Sequence, residues 1–119
     1  MSNLTDLLPS GAGGKQFRFV ASGNVGNGVT VALNTDGTVS AVSSGASNYT
    51  DFIGISDAAI SDTASGSVTI KGGTSTNVTG LTPNATYYVQ SDGSLSTTSS
   101  DVLAGKALSS TSINLDYTS

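Results

Sequence analysis

The sequence predicts an all-β fold: a small β-sandwich or partly closed β-barrel built from two similar hairpin-plus-strand units, with an extended N-terminal arm. Three observations predict it. First, one segment occurs twice. Gly28-Val-Thr-Val-Ala-Leu-Asn-Thr-Asp-Gly-Thr-Val-Ser40 aligns without a gap with Asn84-Ala-Thr-Tyr-Tyr-Val-Gln-Ser-Asp-Gly-Ser-Leu-Ser96. Thr30 matches Thr86, Leu33 matches Val89, Asp36-Gly37 matches Asp92-Gly93 and Ser40 matches Ser96. Second, only 10% of the 119 residues are charged, and the β-branched residues fall in short clusters between Gly-, Ser- and Asn-rich turns. That pattern suits pleated, half-buried strands. Third, all 8 acidic residues are Asp, which favours turns and caps over helix interiors.

Taken in order, the chain opens on a segment unlike the rest. Leu4, Leu7 and Leu8 have one turn of helical spacing, and Pro9 ends it because the residue before proline is driven out of the α region. Ser10 to Gly14 reads as a flexible linker. Residues 1–15 are therefore expected to form a docking arm and residues 16–119 a β domain. Gln16 to Ser22 alternates Phe17, Phe19 and Ala21 against Arg18 and Val20, a strand pattern. Gly23 to Gly28 is a turn. Its glycine spacing resembles a phosphate loop, but no helix pattern follows to aim backbone amides at an anion.

Val29 to Asn34 and Thr38 to Val42 flank Asp36-Gly37 as a hairpin, since glycine tolerates positive φ and Asp tolerates the left-handed region. Ser43 to Thr50 is a loop with Asn48 and Tyr49 near its end. Asp51 to Ser56 is a strand interrupted by Gly54, and Ala58 to Gly66 is irregular. Ser67 to Lys71 is a strand with Val68 and Ile70 inward, and Ser75 to Thr79 is a short polar edge strand. The second hairpin runs from Ala85 to Thr97, with Tyr87 and Tyr88 on opposite faces. Gly105 to Leu108 is a strand, and Ser112 to Tyr117 alternates Ile113, Leu115 and Tyr117 inward. Each hairpin is thus followed by an apolar strand carrying a glycine. Two such units packed face to face make the sandwich, with Phe17/Phe19 and Ile113/Leu115 closing its ends.

The chain has no His, Cys, Trp or Glu. That removes most general bases, nucleophile–base pairs and common metal ligands, so no catalytic residue, cofactor or metal is expected. Asp57 and Asp62 could flank one pocket as a carboxylate pair, but the plainer reading is two solvated loop acids. The two Asp-Gly turns lack the later oxygen ligands of a calcium loop. Asn3, Asn48, Asn77 and Asn84 each begin an Asn-x-Thr triplet, but no signal peptide precedes them. Lys15, Arg18, Lys71 and Lys106 are scattered, which disfavours nucleic acid and anionic membranes as partners. No apolar run approaches the ~18 residues of a membrane span. Tyr49 in a Ser/Gly/Asn loop suits adaptable contacts, which makes Asn48 and Tyr49 a possible recognition loop.

Several stretches carry a family resemblance: Leu-Thr-Asp-Leu-Leu-Pro-Ser-Gly-Ala-Gly-Gly (4–14), Phe-Val-Ala-Ser-Gly (19–23), Leu-Asn-Thr-Asp-Gly-Thr-Val-Ser-Ala-Val (33–42), Phe-Ile-Gly-Ile-Ser-Asp (52–57), the 80–96 hairpin and 104–113. Together they resemble tailed-bacteriophage virion structural proteins, both short capsid decoration (cement) proteins and modules of fibre-like proteins. In the longer members an insertion separates the halves near Ser43–Thr50; its absence here favours the compact decoration type. The resemblance implies a non-enzymatic protein on the capsid surface of a virion, made in the host cytoplasm, with the major capsid protein as partner. It would form a homo-oligomer, a trimer being favoured over a dimer, and dock through Leu4, Leu7, Leu8 and Pro9. The alternative it implies is a tail-fibre or receptor-binding module.

Overall fold

A computed structural model describes residues 15–43, 48–100 and 102–116. It contains ten strands: β1 (Gln16–Val20), β2 (Thr30–Leu33), β3 (Val39–Ala41), β4 (Phe52–Ser56), β5 (Ser65–Ile70), β6 (Thr74–Ser75), β7 (Thr86–Val89), β8 (Leu95–Ser96), β9 (Leu103–Ser109) and β10 (Ser112–Leu115). A 3-10 turn over Tyr49–Asp51 is the one named helical element among the described residues. All named strand pairs are antiparallel.

The strands form two sheets, ordered β1-β5-β4-β2-β3 and β6-β10-β9-β7-β8. Adding five to each label of the first sheet gives the second. The duplication expected for a hairpin and one further strand therefore covers five strands per unit. The registers agree in detail. Val31 pairs with Gly54 and Ala32 with Phe52, with a bulge between; Tyr87 pairs with Gly105 and Tyr88 with Leu103, with a bulge at the matching place. Gly54 pairs with Ile70 and Ser56 with Val68, as Gly105 pairs with Leu115 and Ala107 with Ile113. Phe17 pairs with Val68 and Ser75 with Ile113. So Gly54 corresponds to Gly105, Phe52 to Leu103, Ile55 to Lys106, Ile70 to Leu115 and Phe17 to Ser75.

The two glycines share one physical reason. A Cβ on Gly54 would run into the Thr69 carbonyl oxygen, and a Cβ on Gly105 into the Asn114 carbonyl oxygen. Thr69 and Asn114 are themselves matched positions, opposite Ile55 and Lys106. The bulge brings neighbouring backbone too close for any side chain, which is where a strand glycine is required.

Each sheet has two faces, fixed by the alternation of side chains. The face carrying Val31, Val39 and Val68, and its match carrying Tyr87, Leu95 and Ile113, is termed the front. In unit one the front packs under the unit's own loops: Ala21 and Val25 from the β1–β2 connection and Ile60 from the β4–β5 connection. In unit two Val78 and Leu81 take the places of Ala21 and Val25. What covers the rest of that front is the back of unit one: Ala32, Phe52 and Ile55 share one buried cluster with Tyr87, Val89, Ile113 and Leu115.

Sheet one is thus covered on its back and, by its own loops, on part of its front, and sheet two on its front alone. The units are stacked front to back in the same sense, like adjacent repeats. The two sheets pack face to face as the sequence leads one to expect, and the faces that meet are unlike, the back of unit one and the front of unit two. The sandwich alternative holds and the barrel does not, because the sheets do not close on one another. The expectation that Phe17 closes an end of the sandwich is also corrected. Phe17 is 58% exposed; its ring meets that of Phe19 at a centroid distance of 4.9 Å, the planes tilted by 55°. The reason is position: β1 is an edge strand, and its front-facing side lies at the outer end of the stack. Ile113 and Leu115, at 0% and 1% exposure, are core as expected. Tyr117 lies outside the described residues. The edge strand expected over Ser75 to Thr79 is only the pair Thr74–Ser75. Beyond it the chain leaves the sheet so that Val78 and Leu81 can cover the front.

Gly54→Ala and Gly105→Ala are each expected to destabilise the fold by about 2–3 kcal/mol through forced overpacking. The urea midpoint of each variant checks this, and similar losses at the two positions are the outcome expected of a true repeat.

Candidate functional site

The Asp-Gly hairpins are built alike. In the first, Asp36 Oδ1 accepts from the Thr38 amide (3.1 Å) and the Thr38 hydroxyl (2.7 Å). In the second, Asp92 Oδ1 accepts from the Ser94 amide (3.0 Å) and hydroxyl (2.7 Å). These bonds hold both carboxyls below their ordinary pKa of 3.8: the Thr38 hydroxyl is the largest cause for Asp36 and the Ser94 amide for Asp92. Both acids are turn scaffolding. The glycines differ in surroundings. Gly37 has open space around it, whereas Gly93 is pressed against the Val42 carbonyl of unit one. Its own carbonyl accepts from Thr30 Oγ1 at 2.7 Å. Asn77 of unit two adds two more bonds across the junction, donating from Nδ2 to Asn27 Oδ1 (2.6 Å) and to the Ser56 carbonyl (3.0 Å). The cleft at this junction, lined by Thr30, Leu81 and Gly93 among others, holds only ≈ 230 Å³.

The acids weighed as a pair are engaged separately. Asp57 Oδ2 accepts from Ser67 Oγ (2.6 Å) and Gln16 Nε2 (3.2 Å), and its Oδ1 accepts from Thr69 Oγ1 (2.5 Å). Asp62 Oδ1 accepts from the Gly23 amide at 2.8 Å, while the Asp62 amide donates to Asn24 Oδ1 at 2.9 Å. Asp57 ties β1 to β5, and Asp62 ties the β4–β5 loop to the Gly23 turn. The structure does not bring them to one pocket. The Gly23–Gly28 turn leads into strand β2, and Val25 forms a two-way backbone bridge with Ile60 at 2.8 Å in each direction. Among the described residues no group of three or more His, Cys, Asp or Glu could hold a metal ion. Among them, too, no helix is long and apolar enough to cross a membrane.

Of the expected recognition loop, residues 44–47 lie outside the described residues. Asn48 closes the loop base: its Oδ1 accepts from the Ser43 amide (3.1 Å), and its Nδ2 donates to the Ala41 carbonyl (3.3 Å). Tyr49 is half-buried against the main core. Leu4, Leu7, Leu8 and Pro9, expected from sequence to dock, lie outside the described residues. Tyr87 is core, and its hydroxyl accepts from the Thr82 amide at 2.8 Å. Tyr88 is half-buried on the opposite face.

Two surfaces with exposed apolar side chains escaped the sequence reading. One is the front of sheet one, where Phe17 is exposed on β1 and Leu33 on β2, the latter lining a hollow with Asn34, Thr35 and Asp51. The other is the back of sheet two. There Tyr88 and Leu103 are half-buried, Leu108 is 57% exposed, and Thr86, Lys106 and Asn114 line a hollow of ≈ 260 Å³. The signal that marks them is the repeat itself, once its loops are allowed to differ in length: Phe17 stands against Ser75 and Ile55 against Lys106. No protein-family model and no curated protein sequence matches the chain.

Two outcomes follow. Thr30→Val removes a half-buried bond across the junction and is expected to lower stability by about 1–2 kcal/mol. Thr86→Val, at the exposed matched position, is expected to change it by less than about 0.5 kcal/mol; thermal unfolding compares the two. Because folding depresses the Asp36 and Asp92 carboxyls, their stabilisation is fully present above pH 3.8 and is lost as pH falls through their lower folded values. The double variant Asp36→Asn/Asp92→Asn should therefore flatten the melting-temperature profile below pH 3.8 while leaving its slope near neutrality unchanged.

Proposed function

We propose that this protein is a structural virion protein of a tailed bacteriophage, a capsid decoration protein that binds the outside of the shell and stabilises it. The observation that carries the reading is the sequence resemblance of the 4–14, 33–42, 52–57, 80–96 and 104–113 segments to such proteins. The structure is compatible with it in one respect: Phe17 and Leu33 on one sheet and Leu108 on the other are exposed apolar side chains, suited to contact with protein. Decoration would work by adding buried area across capsomer junctions, and occupancy at many symmetry-related sites multiplies a modest affinity per site. Leu4, Leu7, Leu8 and Pro9 are the proposed contacts with the major capsid protein, alongside one face of the β domain. The protein would act as a homo-oligomer, a trimer in preference to a dimer.

The alternative, a tail-fibre or receptor-binding module reading a host surface through Asn48 and Tyr49, draws less support. The Asn48 amide is engaged with its own loop and Tyr49 leans on the core. Quantifying copies per particle on a gel separates the two: decoration gives hundreds, a fibre module a few to dozens. Deleting residues 1–14 should strip the protein from capsids in a co-sedimentation assay, and undiminished occupancy would refute docking through the arm.

A further inference from the structure

The two ends of the stack carry the two halves of the interface that joins its middle. Inside the chain, the front of unit two is covered by the back of unit one. Val89, Ala104, Leu115 and Ser75 are buried there at 0%, 0%, 1% and 0% exposure. Their matches on unit one are Leu33, Ile53, Ile70 and Phe17. Leu33 and Phe17 are 38% and 58% exposed, and Ile53 and Ile70 are half-buried. The same positions, on the same face of the same fold, are closed in one unit and open in the other.

The back faces show the converse. Ala32, Phe52 and Thr30 are buried at 0%, 7% and 4% against unit two. Their matches Tyr88 and Leu103 are half-buried and Thr86 is exposed. Thr30 Oγ1 donates to the Gly93 carbonyl, while the matched Thr86 faces solvent and the matched turn at Gly37 has open space around it.

We infer that copies of this chain associate head to tail, the back of sheet two of one copy seating on the front of sheet one of the next. The occupant is a second copy because the chain already contains this interface between its own units. The inference stands on the structure and does not rest on the decoration reading.

The contact between copies is not a replica of the internal one. Gly28, whose Cβ would run into the Asn77 carbonyl, is replaced in unit two by Asn84, also at positive φ (74° against 69°). Lys106 stands in place of Ile55. In addition, the β4–β5 loop of unit one, carrying Ile60, is longer than the β9–β10 turn. The added bulk gathers at the corner where β2 and β7 begin. Phe17 lies level with that corner, in one row with Val68, Ser56 and Val29, whereas Leu33 lies at the far end of β2. Unlike faces meeting head to tail form a ring if the rotation between copies closes and a filament if it does not.

Sedimentation velocity over a concentration series tests this with full-length protein. Phe17→Asp disables the front; Leu103→Asp disables the back, and Leu108→Asp does so at a position exposed enough to leave folding intact, which near-UV circular dichroism verifies. The wild type should assemble reversibly. Each variant alone should raise the midpoint of assembly at least ~30-fold, the scale of a hot-spot loss. A one-to-one mixture of a front variant and a back variant should form a dimer and stop, since one sound front and one sound back remain. A wild type that stays monomeric overturns the inference. So does assembly that survives in either face variant, or a mixture that fails to pair, because these mean like faces meet. If Leu7→Asp abolishes assembly while the back variants retain it, the arm is the occupant and the inference fails.

Discussion

The structure depends on one contact, the seating of Ala32, Phe52 and Ile55 from the back of sheet one on Tyr87, Val89, Ile113 and Leu115 from the front of sheet two. Neither unit closes a core of comparable size alone. The cluster private to unit one holds small residues, chiefly Val and Ala, with Ile60 brought in by a loop. Unit two has no matching loop, and its larger front residues, Tyr87 and Leu115, are buried only because unit one covers them. With no cysteine in the chain, apolar burial must hold the units together. Removing one unit would expose a full sheet face of the other.

Polar bonds orient that contact more than they strengthen it. Thr30 to Gly93, and Asn77 to Asn27 and Ser56, sit at one corner of the junction. Each is worth only about 1 kcal/mol net, yet each leaves an unpaired group if the sheets slide. Gly28 and Gly93 permit close backbone approach at the same corner. Apolar packing is tolerant of small shifts, so the register between the sheets is set by these few directional groups.

Departure from the repeat is as informative as the repeat. Where units one and two agree, at Asp36 and Asp92 or at Gly54 and Gly105, the residues serve the fold. Where they differ, Ile55 against Lys106, Gly28 against Asn84, Phe17 against Ser75, one position faces the internal junction and the other faces outward. Lys106 keeps the back of sheet two soluble in a place where Ile55 must be dry. Phe17 is the reverse case, a large aromatic ring left at the open end where unit two carries a buried serine.

The sequence by itself determined the all-β class, both hairpins, the role of their Asp-Gly turns and the fact of duplication. These rest on local chemistry: side-chain alternation, positive-φ glycine and β-branched clusters act within a few residues. Most strand positions followed, and so did the glycine of the third strand in each unit. The equivalence of β1 with β6 and of β5 with β10 stayed hidden, because the connecting loops differ in length and Phe17 and Ser75 share no chemistry. Only the tertiary structure decided which apolar face meets which. Hydrophobic attraction is non-directional, so alternation marks two faces without saying what each will cover. Front-to-back stacking, the exposure of Phe17 and Leu33, and the structural employment of Asn48, Tyr49, Asp57 and Asp62 all follow from that choice.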